Sequence, residues 1–362
     1  MGDLRFLAGS LIFTLSLINM PDHLRPHRVT LKEVADHAGV SRATVSLVLR
    51  DSPLAAVETR ERVRRAAEAV GYLYNRGAAT MRAARTKTVG LLVTEIENPF
   101  FAELAAGVEA ALDAAGYIAF LATTGDSGER QSRALRRLRE HRVDGIILCP
   151  AVDTRSEDIA ALARLGVPCV QALRRVARSG GDFAGPANRE GMEILAEHLL
   201  SLGRRRIAFA GAAIMHSGVR ERLQGLQAVL RRHGLPPAEV LDAPGSRLGG
   251  IEAARLLAQL PERPEALVCV NDVMAYGAIR ALEKAGLRIG KDIAVTGVGD
   301  VPETTTFRPG LTTLQTEPRK IGEAAVRLLL RRLAAPDARA EKLILPARLV
   351  VRETCGALGQ GR

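Results

Sequence analysis

In the stretch VSRATVSLVLR (40–50), Arg42 has the chemistry to read a base edge or to pair with a phosphate. An arginine at the opening of a helix donates two parallel hydrogen bonds to guanine O6 and N7, each such pair contributing roughly 1–3 kcal/mol of discrimination. Ser41, Thr44 and Ser46 around it are short donors suited to phosphate oxygens, contacts that fix register without reading sequence. Thr30 upstream and Arg50 at the end of the stretch are further candidates for contact with the DNA backbone. A second constellation is apolar. Phe100 and Phe101 follow Asn98-Pro99, just past the run VGLLV (89–93), in a chain with 3% aromatic residues and no Trp. Aromatic faces beside planar polar groups suit a hydroxyl-rich ring, and the carboxyl end of a strand is where open α/β sheets hold ligands.

Constellations for catalysis are missing. The chain has no P-loop, no GxSxG, no GxGxxG after its first strand-like run and no His/carboxylate pair at metal-ligand spacing. His37, His141, His198 and His216 are scattered, and read as surface or packing residues. Cys149, Cys169, Cys269 and Cys355 form no CxxC, which argues against zinc and for buried, reduced thiols. We therefore expect no enzyme, no cofactor and no metal.

Two short helices must position Arg42. Leu31, Val34, Ala35 and Ala38 recur at i, i+3, i+4 and i+7, one face of a two-turn helix. Thr30 and Glu33 have the spacing of a capping box, and Gly39 can close the helix in the left-handed conformation. Ser41 then caps a second helix with Val45, Val48 and Leu49 inward and Arg42, Ala43, Ser46 and Leu47 outward. This spacing is a helix-turn-helix, whose second helix enters the DNA major groove. It is equally that of an ordinary helical hairpin. A third helix over 58–70, with Val63, Ala66, Ala67 and Val70 on one face, favours the compact DNA-binding headpiece.

Charge agrees. The 362 residues carry a net charge of +11, yet residues 21–88 alone hold 13 Lys and Arg against 7 Asp and Glu. A phosphate-binding surface requires such a local excess. The apolar segment FLAGSLIFTLSLINM is shorter than the roughly 20 residues that span a bilayer. It also lacks a small-x-small cleavage site, so Met20 is the expected start and the cytoplasm the expected location.

After residue 88 the runs VGLLV (89–93), YIAFLA (117–122), VDGIIL (143–148), VPCVQ (167–171), RIAFAG (206–211), ALVCV (266–270) and IAVTGV (293–298) alternate with helix-length segments. Near-continuous apolar strands imply parallel sheets covered on both faces, an α/β fold. This length exceeds one comfortable core, so two lobes are expected.

These blocks, from VTLKEVADHAGVSRATVSLVL through TRERV, NPFFAELAAGVEAAL, RERLQGLQAVL, VCVNDVMAYGAIRALEKAGL and PGLTTL to IGEAAVRLLL, stand in the order of the lactose-repressor (LacI/GalR) family of bacterial transcription factors. The chain resembles that family from Val29 to Glu353. The resemblance implies an N-terminal extension (1–28), a headpiece (29–74), a hinge helix (75–88), a two-lobed core like type I periplasmic binding proteins (89–353) and a tail (354–362). It implies a homodimer on a pseudo-palindromic operator, with Arg42 and Ala43 choosing its sequence. Leu47 departs from a frequent arginine, and Arg50 from an asparagine. In the hinge, Asn75 and Arg76 precede Ala78 and Ala79, small enough for close helix approach; Met81 stands where a leucine wedge is usual, and Arg82 follows it. Tyr74 replaces the family's proline.

By the same resemblance Phe100, Phe101, Asn188, Glu190, Arg222, Asn271 and Asp300 bind the effector, while Asp272 is read as the cap of the next helix. GVGD (297–300) departs most, Gly299 standing where the family has a ligand-binding aspartate. A sugar or sugar acid is the expected effector, its release or capture controlling a repressor. The rival reading, an exported sugar-binding protein, leaves the basic residues 29–86 without a use.

Overall fold

The computed structural model describes residues 29–49, 52, 54–72, 85–211 and 216–357. The chain divides into two compact units, parting between residues 84 and 85. In the first, helices α1 (Leu31–Ala38), α2 (Arg42–Leu49) and α3 (Val57–Ala69) enclose Val34, Ala35, Val45, Val48, Val63 and Ala66, all buried. Thr30 and Glu33 form the capping box, the Thr30 amide donating to Glu33 Oε2 at 2.7 Å. Gly39 ends α1 at φ 62°, where a Cβ would be strained, and Ser41 Oγ accepts from the Thr44 amide at 3.1 Å. Arg50, Asn75, Arg76, Ala78, Met81 and Arg82 lie outside the described residues.

The second unit holds two six-stranded sheets. The first runs in the order β11-β5-β4-β3-β1-β2 and the second β12-β10-β9-β8-β6-β7. In sequence the strands are β1 (Thr88–Val93), β2 (Ile118–Thr123), β3 (Gly145–Leu148), β4 (Cys169–Ala172), β5 (Asp182–Pro186), β6 (Ile207–Ala210), β7 (Glu239–Leu241), β8 (Ala266–Cys269), β9 (Ala294–Gly299), β10 (Thr312–Gln315), β11 (Lys342–Leu345) and β12 (Arg348–Val350). Each sheet has its own core, one around Leu104 and Ile147, the other around Phe209 and Val268. The chain passes between the lobes after β5, after β10 and between β11 and β12.

Of the helices, α4 (Pro99–Ala114), α5 (Gly128–Glu140) and α6 (Ser156–Arg164) belong to the first lobe. The second has α7 (Asn188–Ser201), α8 (Ser217–Arg232), α9 (Arg247–Leu257), α10 (Asp272–Lys284) and the short α11 (Glu303–Thr306). Helix α12 (Pro318–Ala334) returns to the first lobe and crosses α4 so closely that a Cβ on Gly107 would lie 2.2 Å from the Arg319 carbonyl oxygen.

Five strands depart from the seven apolar runs. DFAGP carries Gly and Pro, TTLQ is mostly polar, and EVL, KLIL and RLV are short and partly exposed, so none has the pattern of a buried strand. Strand β12 is antiparallel to β10 at the sheet edge. Strand β2, expected to be covered on both faces, leaves Ile118, Phe120 and Leu121 exposed by 55%, 40% and 49%.

Candidate functional site

In the first unit, α2 presents Arg42 and Ala43 as exposed residues at its first turn, with Thr44, Ser46 and Leu47 half-buried along it. Its opposite face carries Val45 and Val48 into the three-helix core. Thr44 Oγ1 lies 2.9 Å from Ser41 Oγ, so both hydroxyls cluster at the helix start with Arg42 between them in sequence. One turn therefore offers a guanidinium fork and two hydroxyls to a groove and its phosphates.

In the second unit a cavity of about 320 Å³ opens between the lobes. Parallel strands of both sheets point their carboxyl ends at it, and the residues just past those ends line it. The first lobe contributes Glu95 after β1, Asp126 after β2 and Arg174 after β4, with Asn98, Phe100 and Phe101 at the start of α4. The second contributes His216 and Arg222 after β6, Gly245 and Ser246 after β7, and Asn271 after β8. Asn98 caps α4 by accepting from the Phe100 amide at 3.1 Å. The rings of Phe100 and Phe101 meet edge to face at 5.9 Å. Phe101 is buried in the first lobe's core, leaving Phe100 as the more accessible face.

Arg174 emerges from a strained turn. Leu173 has φ 63°, a conformation that costs a residue with a side chain of order 1–3 kcal/mol. The Arg174 amide closes the turn on the Ala172 carbonyl at 2.7 Å. Its Nη1 then reaches Asp126 Oδ1 at 2.6 Å, an ion pair largely shielded from solvent on the arginine side. Arg222 donates from Nε to Asn188 Oδ1 at 2.9 Å and from Nη1 to the Val270 carbonyl at 2.6 Å. Burial, opposed by Asp272, pushes its pKa down to about 10. Burial raises the Glu95 carboxyl above its ordinary value, with Arg174 opposing. Burial, then the charges of Arg174, Arg222 and Arg220, push His216 down to about 3, so its ring is neutral. Its Nδ1 accepts from the Val219 amide at 3.4 Å, which leaves the proton on Nε2. The cavity thus combines an aromatic face, amides, carboxyl groups and guanidinium groups, a set able to bond several hydroxyls at once.

Residues 30–75 match the family described as bacterial regulatory proteins, lacI family, and residues 196–355 match a periplasmic binding protein-like domain. The maltose regulon regulatory protein MalI of Escherichia coli is 31% identical, over 89% of this chain and 98% of that protein. The ribose operon repressor of Haemophilus influenzae is also 31% identical, over 91% and 99%. The chain belongs to the lacI family. Among solved structures, the lac repressor dimer bound to operator and the anti-inducer ONPF superposes with a TM-score of 0.82 at 27% identity, covering 91% of this chain and 100% of that one. A transcriptional regulator CelR–cellobiose complex superposes at 0.67 with 31% identity, covering 90% and 100%.

Of the effector residues read from the family, Phe100, Phe101, Arg222 and Asn271 come together at the cavity. Three do not line it. Asn188 is buried behind Arg222, accepting from it and donating to Glu221 Oε2 at 3.2 Å. Glu190 is exposed in the first turn of α7, because two residues along a helix turn a side chain to the far face. Asp300 is consumed within its own lobe, accepting from Thr304, Gln315 and Arg352 at 2.8–2.9 Å.

The cap of α10 is also corrected. Asn271 Oδ1, not Asp272, accepts from the Met274 amide at 2.8 Å. Asp272 turns inward to Thr313 Oγ1 at 2.5 Å and the Val301 amide at 3.0 Å. At Gly299 the family departure has a backbone reason: φ is 140°, and a Cβ there would meet Asp272 Oδ2 at 2.9 Å. Sequence reading missed Glu95, Asp126, Arg174 and His216. Each follows a strand end, and that position was the signal.

Proposed function

We propose that this chain is a sequence-specific, operator-binding transcriptional repressor controlled by a small hydroxyl-rich effector. The observation carrying this is the pairing, in one chain, of a capped helix-turn-helix with a cavity built from the carboxyl ends of two sheets. The relatives' printed functions, a maltose regulon regulator and a ribose operon repressor, support a carbohydrate as effector class. In this reading the chain acts in the cytoplasm as a binder and not an enzyme. No helix among the described residues is long and apolar enough to cross a membrane.

Control follows from the three chain crossings and the contacts beside the cavity. The Arg175 amide donates to Ser217 Oγ at 2.7 Å, and Arg175 Nη2 pairs with Glu221 at 2.7 Å, each joining one lobe to the other. Glu221 neighbours Arg222 on α8, so a ligand gripping Arg222 acts on the same helix turn that holds the lobes together. A ligand alters operator affinity by its differential affinity for the two lobe arrangements, and operator alters ligand affinity by the same factor. A homodimer doubles the base contacts. The apolar side chains exposed on β2 and those of Leu248 and Ile251 on α9 are surfaces a second copy would cover.

Footprinting on DNA flanking the chain's own gene, with and without maltose, ribose and cellobiose, tests the reading. A protected pseudo-palindrome whose occupancy shifts with one sugar is expected. Absence of sequence-specific protection from any duplex selected out of a random pool refutes it.

A further inference from the structure

The inter-lobe cavity does not end at Arg174 and His216. Both side chains also wall a second hollow of about 360 Å³ that continues past the carboxyl end of β3. Its floor is Pro150 and Ala151, its rim is Arg155 and Arg175 of the first lobe, and Arg220 enters from α8 of the second. Four arginines and a neutral histidine therefore face a space whose lining includes one acid, Glu157.

The arginines are held from behind. Arg174 pairs with Asp126 through Nη1, Arg175 with Glu221 through Nη2, and Arg155 with Asp158 through Nη2. Each ion pair engages a single terminal nitrogen, whereas a guanidinium has five N–H donors in a fixed fork. A carboxylate that orients an arginine in this way leaves other donors for an anion in front. His216 adds Nε2–H, since Nδ1 is taken by the Val219 amide. Carboxylates and phosphates accept several such bonds at once.

We propose that this hollow is an anion-binding annexe of the effector cleft: the effector places a hydroxyl-rich body in the main cavity and a phosphate or carboxylate between Arg174, His216 and Arg220. Because Arg220 belongs to one lobe and Arg174 to the other, the anionic group pulls the lobes together. This rests on the effector reading above only for its biological meaning. Anion binding itself is measurable without any operator.

Calorimetric titration of the full chain with inorganic phosphate, at constant ionic strength in chloride, is the test. Saturable binding is expected, weakened at least tenfold by Arg220→Gln and several-fold by Arg155→Gln, whose side chain is 74% exposed. Repeating the titration with acetate separates the sources, the tighter-binding anion naming the group the effector carries. Glucose 6-phosphate, gluconate and glucose then report whether a sugar body adds affinity to that anion. No saturable phosphate or acetate binding overturns the proposal, as does binding that both substitutions leave unchanged, which would place the anion elsewhere, the headpiece included. Operator binding measured in parallel without phosphate keeps the two readings apart. A chain that binds anion through Arg220 but no operator retains the annexe and loses the repressor, and the reverse pattern does the opposite.

Discussion

Replacing Arg42 with alanine isolates the base-reading step. The side chain is exposed at the first turn of α2, and the cap there is made by Ser41 Oγ and the Thr44 amide. The substitution therefore leaves the helix start and the core of Val45 and Val48 intact. A bidentate guanine contact is worth about 1–3 kcal/mol per half-site, so a dimer on two half-sites loses about 2–6 kcal/mol. This corresponds to a loss of roughly thirty-fold to twenty-thousand-fold in operator affinity. The assay is a titration of wild type and Arg42→Ala on a duplex selected by the wild-type protein and on its scrambled counterpart, across a salt series. The expected result is a large loss on the selected duplex, a small one on the scrambled duplex, and relaxed preference at one base pair in each half-site. Equal losses on both duplexes, with the salt slope falling by about 0.9 per contact, would refute base reading and make Arg42 a phosphate contact. No loss on either would remove α2 from the groove.

Arg222→Met should abolish effector response while operator binding without ligand survives. It also leaves Asn188 Oδ1 and the Val270 carbonyl without their donors, at about 1–3 kcal/mol each. A denaturation midpoint equal to wild type, with full effector response, would sink the assignment. Burial raises the Asp272 carboxyl to about 6, with the bonds from Thr313 and Val301 opposing. A raised acid binds more protons folded than unfolded between 3.8 and about 6, so its contribution to stability is lost as pH rises through about 6. Denaturant melts from pH 4 to 8 should show that component in wild type and not in Asp272→Asn; identical profiles would contradict it. Burial pushes the Cys149 and Cys169 thiols up to about 11 and about 12, and raises Cys269 further. Thiolate is then scarce at pH 8, so iodoacetamide should label these positions at least tenfold more slowly in the native chain than in denaturant, as read by peptide mass spectrometry. Equal rates would mean the lobes open to solvent.

What the residues determine alone is local. The capping box of Thr30 and Glu33, the left-handed Gly39 and the Ser41 cap each depend on atoms three or four residues apart, and all are legible from spacing. Six of the seven apolar runs are equally legible because burial on both faces leaves an unbroken hydrophobic string, while β2 carries such a string at the sheet edge with Ile118, Phe120 and Leu121 exposed. RLV escaped for the opposite reason, since it lies antiparallel at a sheet edge and is partly exposed, whereas DFAGP is buried between two strands and was hidden by its Gly and Pro. The site divides along the same line. Phe100 and Asn271 were visible because each stands at the start of the helix that follows a strand, where the family resemblance places ligand contacts. Tertiary structure decided the rest. Sheet order sets β1, β3 and β4 side by side, so Glu95 and Arg174, distant in sequence, share one wall with Asp126. The approach of the second lobe turns His216, Arg220 and Arg222 toward them. Within the second lobe itself, Asp300 and Asn188 are spent on protein partners, a choice made by competition among buried donors and acceptors that no local pattern records.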